Sequence, residues 1–106
     1  MKIGIILNSN EPETVWNAFR FGIKALDKND SVKIFLLGKG VEAEDIKDEK
    51  FDVQKSIGEF KNRNGVIFAC GTCLKSRNKK GSQNCPISTL DEMLKIVEES
   101  DKMLSF

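Results

Sequence analysis

Residues 2–37, KIGIILNSNEPETVWNAFRFGIKALDKNDSVKIFLL, contain two short apolar runs with an amphipathic segment between them. The runs, residues 2–7 and 32–37, have the length and unbroken hydrophobicity of strands that are buried on both faces. Between them, apolar residues recur at helical spacing over residues 12–28, and Pro12 stands in the first turn, where helices accept proline. A strand, a helix and a second strand in this order predict a parallel βαβ unit.

The alternation of strand and helix patterns continues along the rest of the chain. The further predicted elements are a helix over residues 52–62, strands over residues 66–69, 85–87 and 102–106, and a last helix that begins with the capping-box pattern Thr89-x-x-Glu92. The predicted inner stripe of that last helix consists of Leu90, Met93, Leu94 and Val97. Residues 41–51 are rich in charge and poor in apolar residues, which favours a brief helix or a loop. We expect one α/β domain over residues 1–106: a three-layer sandwich with a mostly parallel sheet of about five strands and helices on both faces.

Composition excludes several classes of partner. The chain has 106 residues, of which 40% are hydrophobic and 31% charged, and its net charge is +1. Such a balance gives no bulk attraction to nucleic acid or to an anionic membrane, so we expect no direct contact with nucleic acid. No apolar run is long enough to span a membrane, and residues 3–7 are too short for the apolar region of a signal peptide. We therefore expect a cytoplasmic protein.

The residue types that are missing restrict the chemistry further. The chain has no histidine and no tyrosine, so it has no histidine-based triad, no histidine metal ligand and no phenolic acid. Any nucleophilic chemistry must come from cysteine, lysine or carboxylate side chains. There are three cysteines, and two of them form a C-x-x-C pair, Cys70 and Cys73. In a chain without a secretory signal this pattern favours working thiols over a disulfide framework.

The thiol pair falls where a ligand site is expected. In an open parallel sheet, ligands bind beyond the carboxyl ends of the strands. Three predicted loops lie at that edge: Asn8-Ser9-Asn10, Gly38-Lys39-Gly40 and Cys70-Gly71-Thr72-Cys73. The thiols are the reactive groups among them, so we expect the chemistry of this edge to be sulfur exchange, which needs a thiolate and a good leaving thiol.

Cys70 is the stronger candidate for the thiolate. It stands where a strand ends and a helix begins, so we expect free main-chain N–H groups and the positive helix end to point at an exposed sulfur and lower its pKa. Several residues are predicted to support this site. Gly71 allows a close approach of the two sulfurs, and Thr72 offers a hydroxyl to a sulfur anion. Lys75 and Arg77 add positive potential, and the neighbouring loops contribute Asn8 and Gly38. No metal and no cofactor is expected.

Other interpretations of these residues remain open. The pair could be structural thiols of the core, or two ligands of a zinc or iron–sulfur site that would need a fourth ligand besides Cys85. Cys85 itself is interpreted as a packing residue. The basic run KSRNKK, residues 75–80, is also typical of a solvated helix face, and Asn8 and Asn10 are typical of turns and helix caps.

The segment ACGTCLKSR at residues 69–77 resembles the DsrE/DsrF-like family. The opening, residues 2–26, and the ending, ISTLDEMLKIVEESDKMLSF at residues 87–106, are similar to the same family. The resemblance implies an α/β sandwich that assembles as homo- or hetero-oligomers, often trimers or hexamers. It also implies that Cys70 matches the cysteine that carries a persulfide in sulfur-relay members. Cys73 matches the second cysteine of small stand-alone members with C-G-T-C.

These observations lead to one main hypothesis and two alternatives. In the main hypothesis the protein is a sulfurtransferase-like relay protein: Cys70 accepts sulfane sulfur as a persulfide, and Cys73 assists its release. Its partners would be sulfur donor and acceptor proteins or small thiols, and it would form a homo-oligomer. The alternatives are a dithiol–disulfide oxidoreductase that uses the same pair and a non-catalytic oligomeric binding module.

Overall fold

The structure, a computed structural model, describes residues 1–106 and has an α/β architecture. The strands are β1 (Lys2–Leu7), β2 (Ser31–Leu36), β3 (Val66–Cys70), β4 (Ile87–Ser88) and β5 (Lys102–Ser105). The helices are α1 (Pro12–Asp27), α2 (Val53–Asn62), α3 (Gly71–Lys75) and α4 (Leu90–Glu99), with a 3₁₀ segment at Gly38–Asp45. The sheet has the order β4-β3-β2-β1-β5, and every neighbouring pair is parallel. The predicted class and the five-stranded sheet are confirmed.

Helices cover both faces of the sheet, as the sequence predicts. The chain steps from β1 to β4 in one direction, so right-handed crossovers put α1 and α2 on the same face. There Gly22 of α1 lies against the Phe60 ring and against Val32 of the sheet. The return from β4 to β5 places α4 on the opposite face, where Ile96 lies against Gly4 of β1.

Side chains cap the N-terminal ends of α1, α2 and α4. Thr89 caps α4 by accepting a hydrogen bond from the Glu92 N–H at 3.4 Å, which confirms that half of the predicted capping box. Asn10, a residue type that is typical of turns and helix caps, does not cap α1. Glu11 is the cap, because its two carboxylate oxygens reach two free N–H groups of the first turn at once.

The inner stripe predicted for α4 is largely wrong. Ile96 is buried and Met93 half-buried, whereas Leu90, Leu94 and Val97 are 61%, 57% and 44% exposed. The periodicity of apolar residues identifies an apolar face of the helix, but it does not show whether another element packs against that face. Here α4 is the one helix on its face, so no neighbouring helix packs against the outer part of the stripe.

The longest helix, α1, has 16 residues, and no helix of the structure is both long and apolar enough to cross a membrane.

Candidate functional site

The loops that follow β1, β2 and β3 meet at the carboxyl edge of the sheet, as expected. The Gly38 N–H donates a hydrogen bond to Cys73 Sγ at 3.2 Å, which joins the second loop to the third. Gly38 also touches the first loop, because a Cβ added to it would lie 2.5 Å from Asn8 Oδ1. The φ angle of Gly38 is +54°, a value that favours glycine. This residue therefore connects all three loops.

The two thiols are brought together by the start of α3. Cys70 is the last residue of β3 and the N-cap of α3, and Cys73 occupies the third position of the helix. The side chain of an N-cap lies over the third helical residue, which is the spacing that the capping box uses. Accordingly, the side chains of Cys70 and Cys73 lie close enough for the Cys70 sulfur to act on the pKa of Cys73.

The expectation of an exposed Cys70 sulfur held by main-chain amides is wrong. The side chain is 3% exposed and makes no cap hydrogen bond to α3. Two observations place β4 beside this residue. Cys70 is paired with Ser88 of β4, and the Ile87 side chain lies 3.1 Å from the Cβ position of Gly71. The main-chain N–H at this site serves the other sulfur, that of Cys73, which is partly exposed.

Burial and the neighbouring sulfur control the protonation of Cys73. Burial is the largest cause that raises the pKa of the Cys73 thiol, and the Cys70 sulfur raises this pKa further. The hydrogen bond from the Gly38 N–H and the charge of Arg77 act in the opposite direction, because both stabilise the anion. At neutral pH Cys73 is therefore a thiol, and the groups that would support its anion are already in place.

An ion pair fastens α3 to the 3₁₀ segment beside the thiols. Arg77 Nε donates to Glu42 Oε2 at 2.9 Å, and Arg77 Nη1 donates to the Cys73 carbonyl oxygen at 3.1 Å. Glu42 also accepts a hydrogen bond from Asn10 Nδ2 at 3.3 Å, and Arg77 lowers the pKa of the Glu42 carboxyl. Arg77 thus positions the turn that holds Cys73. The sequence analysis did not identify Glu42 as a site residue, because no sequence feature distinguishes it from the other charged residues of residues 41–51.

The other predicted supporting residues differ from their expected roles. Thr72 is exposed, and its hydroxyl makes no hydrogen bond to either sulfur. Lys75 is also exposed and forms no ion pair, whereas Lys79 pairs with Asp45 of the 3₁₀ segment. Gly71 is needed for the close approach of β4 rather than for that of a sulfur, since the Ser88 carbonyl oxygen lies 3.1 Å from its Cβ position.

The third cysteine, Cys85, is a packing residue, as expected. It is buried, and burial followed by the nearby Glu44 carboxylate raises the pKa of its thiol from 9.0 to about 12. A thiol that keeps its proton up to this pH is a poor nucleophile.

The raised pKa of Cys85 predicts a loss of stability in alkali. Between pH 9.0 and about 12 the unfolded chain releases this proton and the folded chain keeps it, so stability falls as the pH rises. From about pH 8 to about pH 10, we expect the free energy of unfolding of the wild type to fall by about 1.4 kcal/mol more than that of Cys85→Ala. Urea unfolding of both proteins at both pH values measures the difference. Equal losses would show that the Cys85 thiol ionises in the folded protein as it does in the unfolded chain.

Known proteins share this architecture. The E. coli ychN protein, known from its crystal structure, superposes with a TM-score of 0.89 over 100% of this chain and 99% of its own, at 24% identity. BT1422 of Bacteroides thetaiotaomicron, a conserved protein of unknown function, gives a TM-score of 0.79 over 99% of this chain and 94% of its own, at 18% identity. These two likenesses show the fold alone.

Sequence comparison leads to the family. MK0008, an uncharacterized protein of Methanopyrus kandleri, is 27% identical in an alignment 100 residues long that covers 89% of this chain and 83% of that protein. The DsrE/DsrF-like family matches residues 1–106, the whole of the chain. The protein therefore belongs to the DsrE/DsrF-like family.

Proposed function

We propose that residues 1–106 form one sulfur-relay domain that carries sulfane sulfur as a persulfide on Cys70, with Cys73 assisting release. Family membership and the resemblance of Cys70 to the persulfide cysteine of relay members support this proposal. The proposed partners are sulfur donor and acceptor proteins or small thiols. A cytoplasmic location suits the proposal, since a reducing compartment keeps such thiols free.

The observation that carries the proposal is the closeness of the two thiols at the carboxyl edge of the sheet, at the N-cap and the third position of α3. Sulfur exchange requires a thiolate, a second thiol within reach and stabilisation of the leaving sulfur. The Gly38 N–H and the positive charge of Arg77 supply that stabilisation at Cys73. The chain has no histidine that could act as a general base for a hydrolytic reaction, and sulfur exchange needs none.

Loading with a small persulfide tests the proposal. We expect reduced wild-type protein, treated with glutathione persulfide, to gain one sulfur atom that is lost again on reduction. The double variant Cys70→Ser/Cys73→Ser should gain none, because both exchanging sulfurs are gone. Cys85→Ala is the matched control and should load as the wild type does, since Cys85 is buried and protonated. Intact mass spectrometry measures the gain, and equal loading of the double variant would contradict the proposal.

The closeness of the Cys70 and Cys73 thiols also favours dithiol–disulfide exchange as a second function. A Cys70–Cys73 disulfide would need no large movement of the chain, because the sulfurs are already close. The loading experiment separates the two functions. A relay protein retains the added sulfur, whereas an oxidoreductase reduces the persulfide, releases sulfide and finishes as the disulfide.

We further propose that the chain forms a homo-oligomer, a trimer or a hexamer, through an apolar patch. The patch consists of Ile87, Leu90, Leu94 and Val97, whose exposures range from 44% to 65%. On α4 the last three lie at helical spacing along one stripe. Large aliphatic side chains that stay exposed together are typical of a protein–protein interface.

A single charge in the patch tests the assembly. We expect Leu94→Glu to dissociate the oligomer, because the interface would bury an unpaired carboxylate. The matched control is Lys95→Gln, which changes the net charge by the same amount on the neighbouring residue of the same helix. Sedimentation equilibrium should give a multiple of 11.9 kDa for the wild type and the control, and 11.9 kDa for Leu94→Glu. A wild type that sediments as a monomer would contradict this assembly.

A further inference from the structure

We infer that the two thiols act in a fixed order: Cys73 receives sulfur from outside, and Cys70 then takes the sulfur over and holds it in the interior. This inference rests on the proposed function and specifies the route of the sulfur within it.

Access separates the two thiols. An incoming persulfide must present its outer sulfur to a thiolate along the S–S bond that breaks. Cys70, which is 3% exposed at the end of β3 and paired with Ser88 of β4, offers no such approach. Cys73 lies one turn further along α3, is partly exposed, and faces the loop that contains Gly38. A donor in solution therefore meets Cys73 first.

The hydrogen bonds of the site also distinguish the two thiols. The Gly38 N–H points at Cys73 Sγ from 3.2 Å, and Arg77 is fixed beside it by bonds to Glu42 and to the Cys73 carbonyl oxygen. The side chain of Cys70, in contrast, receives no hydrogen bond from the N–H groups of α3. Of the two sulfurs, Cys73 is thus the one beside groups that offset part of a negative charge, while burial and the Cys70 sulfur still raise the pKa of its thiol. Negative charge develops on this sulfur when Cys73 leaves a persulfide, and a stabilised thiolate leaves faster.

The proposed route consists of two balanced exchanges. In the first exchange, the Cys73 thiolate attacks the outer sulfur of a donor persulfide R–S–SH. A bond forms between Cys73 and that sulfur, and the donor leaves as RS⁻ because its S–S bond breaks. The proton given up by Cys73 passes to RS⁻. In the second, Cys70 attacks the outer sulfur of the Cys73 persulfide, and Cys73 leaves as a thiolate. The proton of Cys70 passes to the neighbouring Cys73 thiolate. The sulfur keeps its oxidation state throughout, so the route needs no oxidant and no reductant.

One competing reaction starts from the same intermediate. If Cys70 attacks the inner sulfur of the Cys73 persulfide instead, hydrosulfide leaves and a Cys70–Cys73 disulfide forms. The protein would then need an external reductant before it accepted sulfur again. The hydrogen bond that the Gly38 N–H donates to the inner sulfur supports Cys73 as the leaving group in the transfer to Cys70.

Single-cysteine variants and a time course test the order. We treat three proteins with glutathione persulfide: the wild type, Cys70→Ser and Cys73→Ser. Alkylation stops the reaction, and intact mass gives the number of sulfur atoms gained. Fragmentation of the peptide of residues 64–75, which contains both thiols, shows which cysteine carries the sulfur. We expect Cys70→Ser to gain one sulfur on Cys73 at the wild-type rate. We expect Cys73→Ser to load Cys70 about tenfold more slowly, because the remaining thiol is inaccessible. In the wild type the sulfur should appear on Cys73 first and then on Cys70.

The other outcomes are each decisive. Loading of Cys73→Ser at the wild-type rate would overturn the order of the thiols and leave the proposed relay function intact. Release of hydrosulfide with a Cys70–Cys73 disulfide in the wild type would overturn the transfer to Cys70. No loading of the wild type would refute the relay function and the order together.

A measurement on the wild-type protein tests the order of the thiols even if a variant fails to fold. Brief treatment of reduced wild type with iodoacetamide should alkylate Cys73 before Cys70 and leave Cys85 unmodified, because Cys73 alone is partly exposed. Alkylation of Cys70 before Cys73 would overturn the inference without the use of any variant.

Discussion

Phe60→Ala is expected to lower the free energy of unfolding by about 3–5 kcal/mol, the cost typical of removing a fully buried aromatic side chain. Phe60 is 0% exposed and lies edge-on to Phe19, with ring centroids 5.5 Å apart. The Phe60 ring packs directly against the backbone of two glycines, Gly22 and Gly65, in the space that a Cβ atom of either residue would occupy. The cavity left by alanine has rigid backbone on two sides, so the surroundings cannot collapse into it.

Urea unfolding followed by circular dichroism measures this loss. The matched control is Phe21→Ala on α1, where the ring is 39% exposed and meets the Phe106 ring at a centroid distance of 6.4 Å. We expect the control to lose less than about 1 kcal/mol, since a partly exposed side chain buries little apolar area. If the two variants lose the same free energy, the ring of Phe60 is not the centre of the contact between α1 and α2.

Gly40→Ala is expected to cost about 3 kcal/mol and to slow sulfur loading. A Cβ at Gly40 would overlap the Leu7 carbonyl oxygen and lie 2.9 Å from the Leu7 carbonyl carbon, both of them main-chain atoms at the end of β1. The same oxygen accepts the Leu37 N–H at 3.0 Å, so β1 cannot yield without losing that bond. The start of the 3₁₀ segment must move instead, and Gly38 moves with it, away from Cys73 Sγ.

Gly58→Ala is the matched control for Gly40→Ala. Nothing lies within 4 Å of its Cβ position, and it is an interior residue of α2. Alanine there should stabilise the protein by about 0.5–1 kcal/mol and leave sulfur loading unchanged, because glycine is the weaker helix former. Urea unfolding and the persulfide assay together measure both effects. Unchanged loading in a destabilised Gly40→Ala protein would show that the Gly38 N–H is dispensable for sulfur exchange.

The burial of Cys70 gives the proposed relay a physical advantage. A persulfide is reactive toward any thiol that reaches it, so an exposed persulfide would lose its sulfur to small thiols in solution. A sulfur held at a side chain that is 3% exposed is protected from that reaction. Release then requires either a partner that opens the edge near β4 or return of the sulfur through Cys73.

The α/β fold was predictable from the sequence because the signals for it are local. The apolar run of residues 2–7 and the helical spacing of residues 12–28 each require a particular backbone, whatever surrounds them. Parallel pairing follows, since a helix between two strands returns the chain to the same end of the sheet. For the same reason the meeting of the Asn8, Gly38 and Cys70–Cys73 loops at one edge was predictable.

Exposure was not predictable in the same way, and it changed the interpretation of two features. Spacing placed Leu90 and Leu94 on the inner face of α4, yet both are exposed, because no second helix covers that side. Likewise, Cys70 was expected to be the accessible thiol, yet β4 buries it. The segment that becomes β4 has two residues and lies far from β3 in sequence, so nothing local to Cys70 signals its position.

By itself the sequence determined the α/β class, the order of strands and helices, and the pair of thiols at the carboxyl edge, because each depends on residues that are near one another in the chain. The tertiary structure alone decided which thiol is accessible, which sulfur receives the Gly38 N–H, and that Glu42 fixes Arg77 beside the site. The first property follows from the pairing of Cys70 with Ser88, and the other two arise from contacts between residues 35 positions apart. Such contacts exist only once the sheet has brought its loops together.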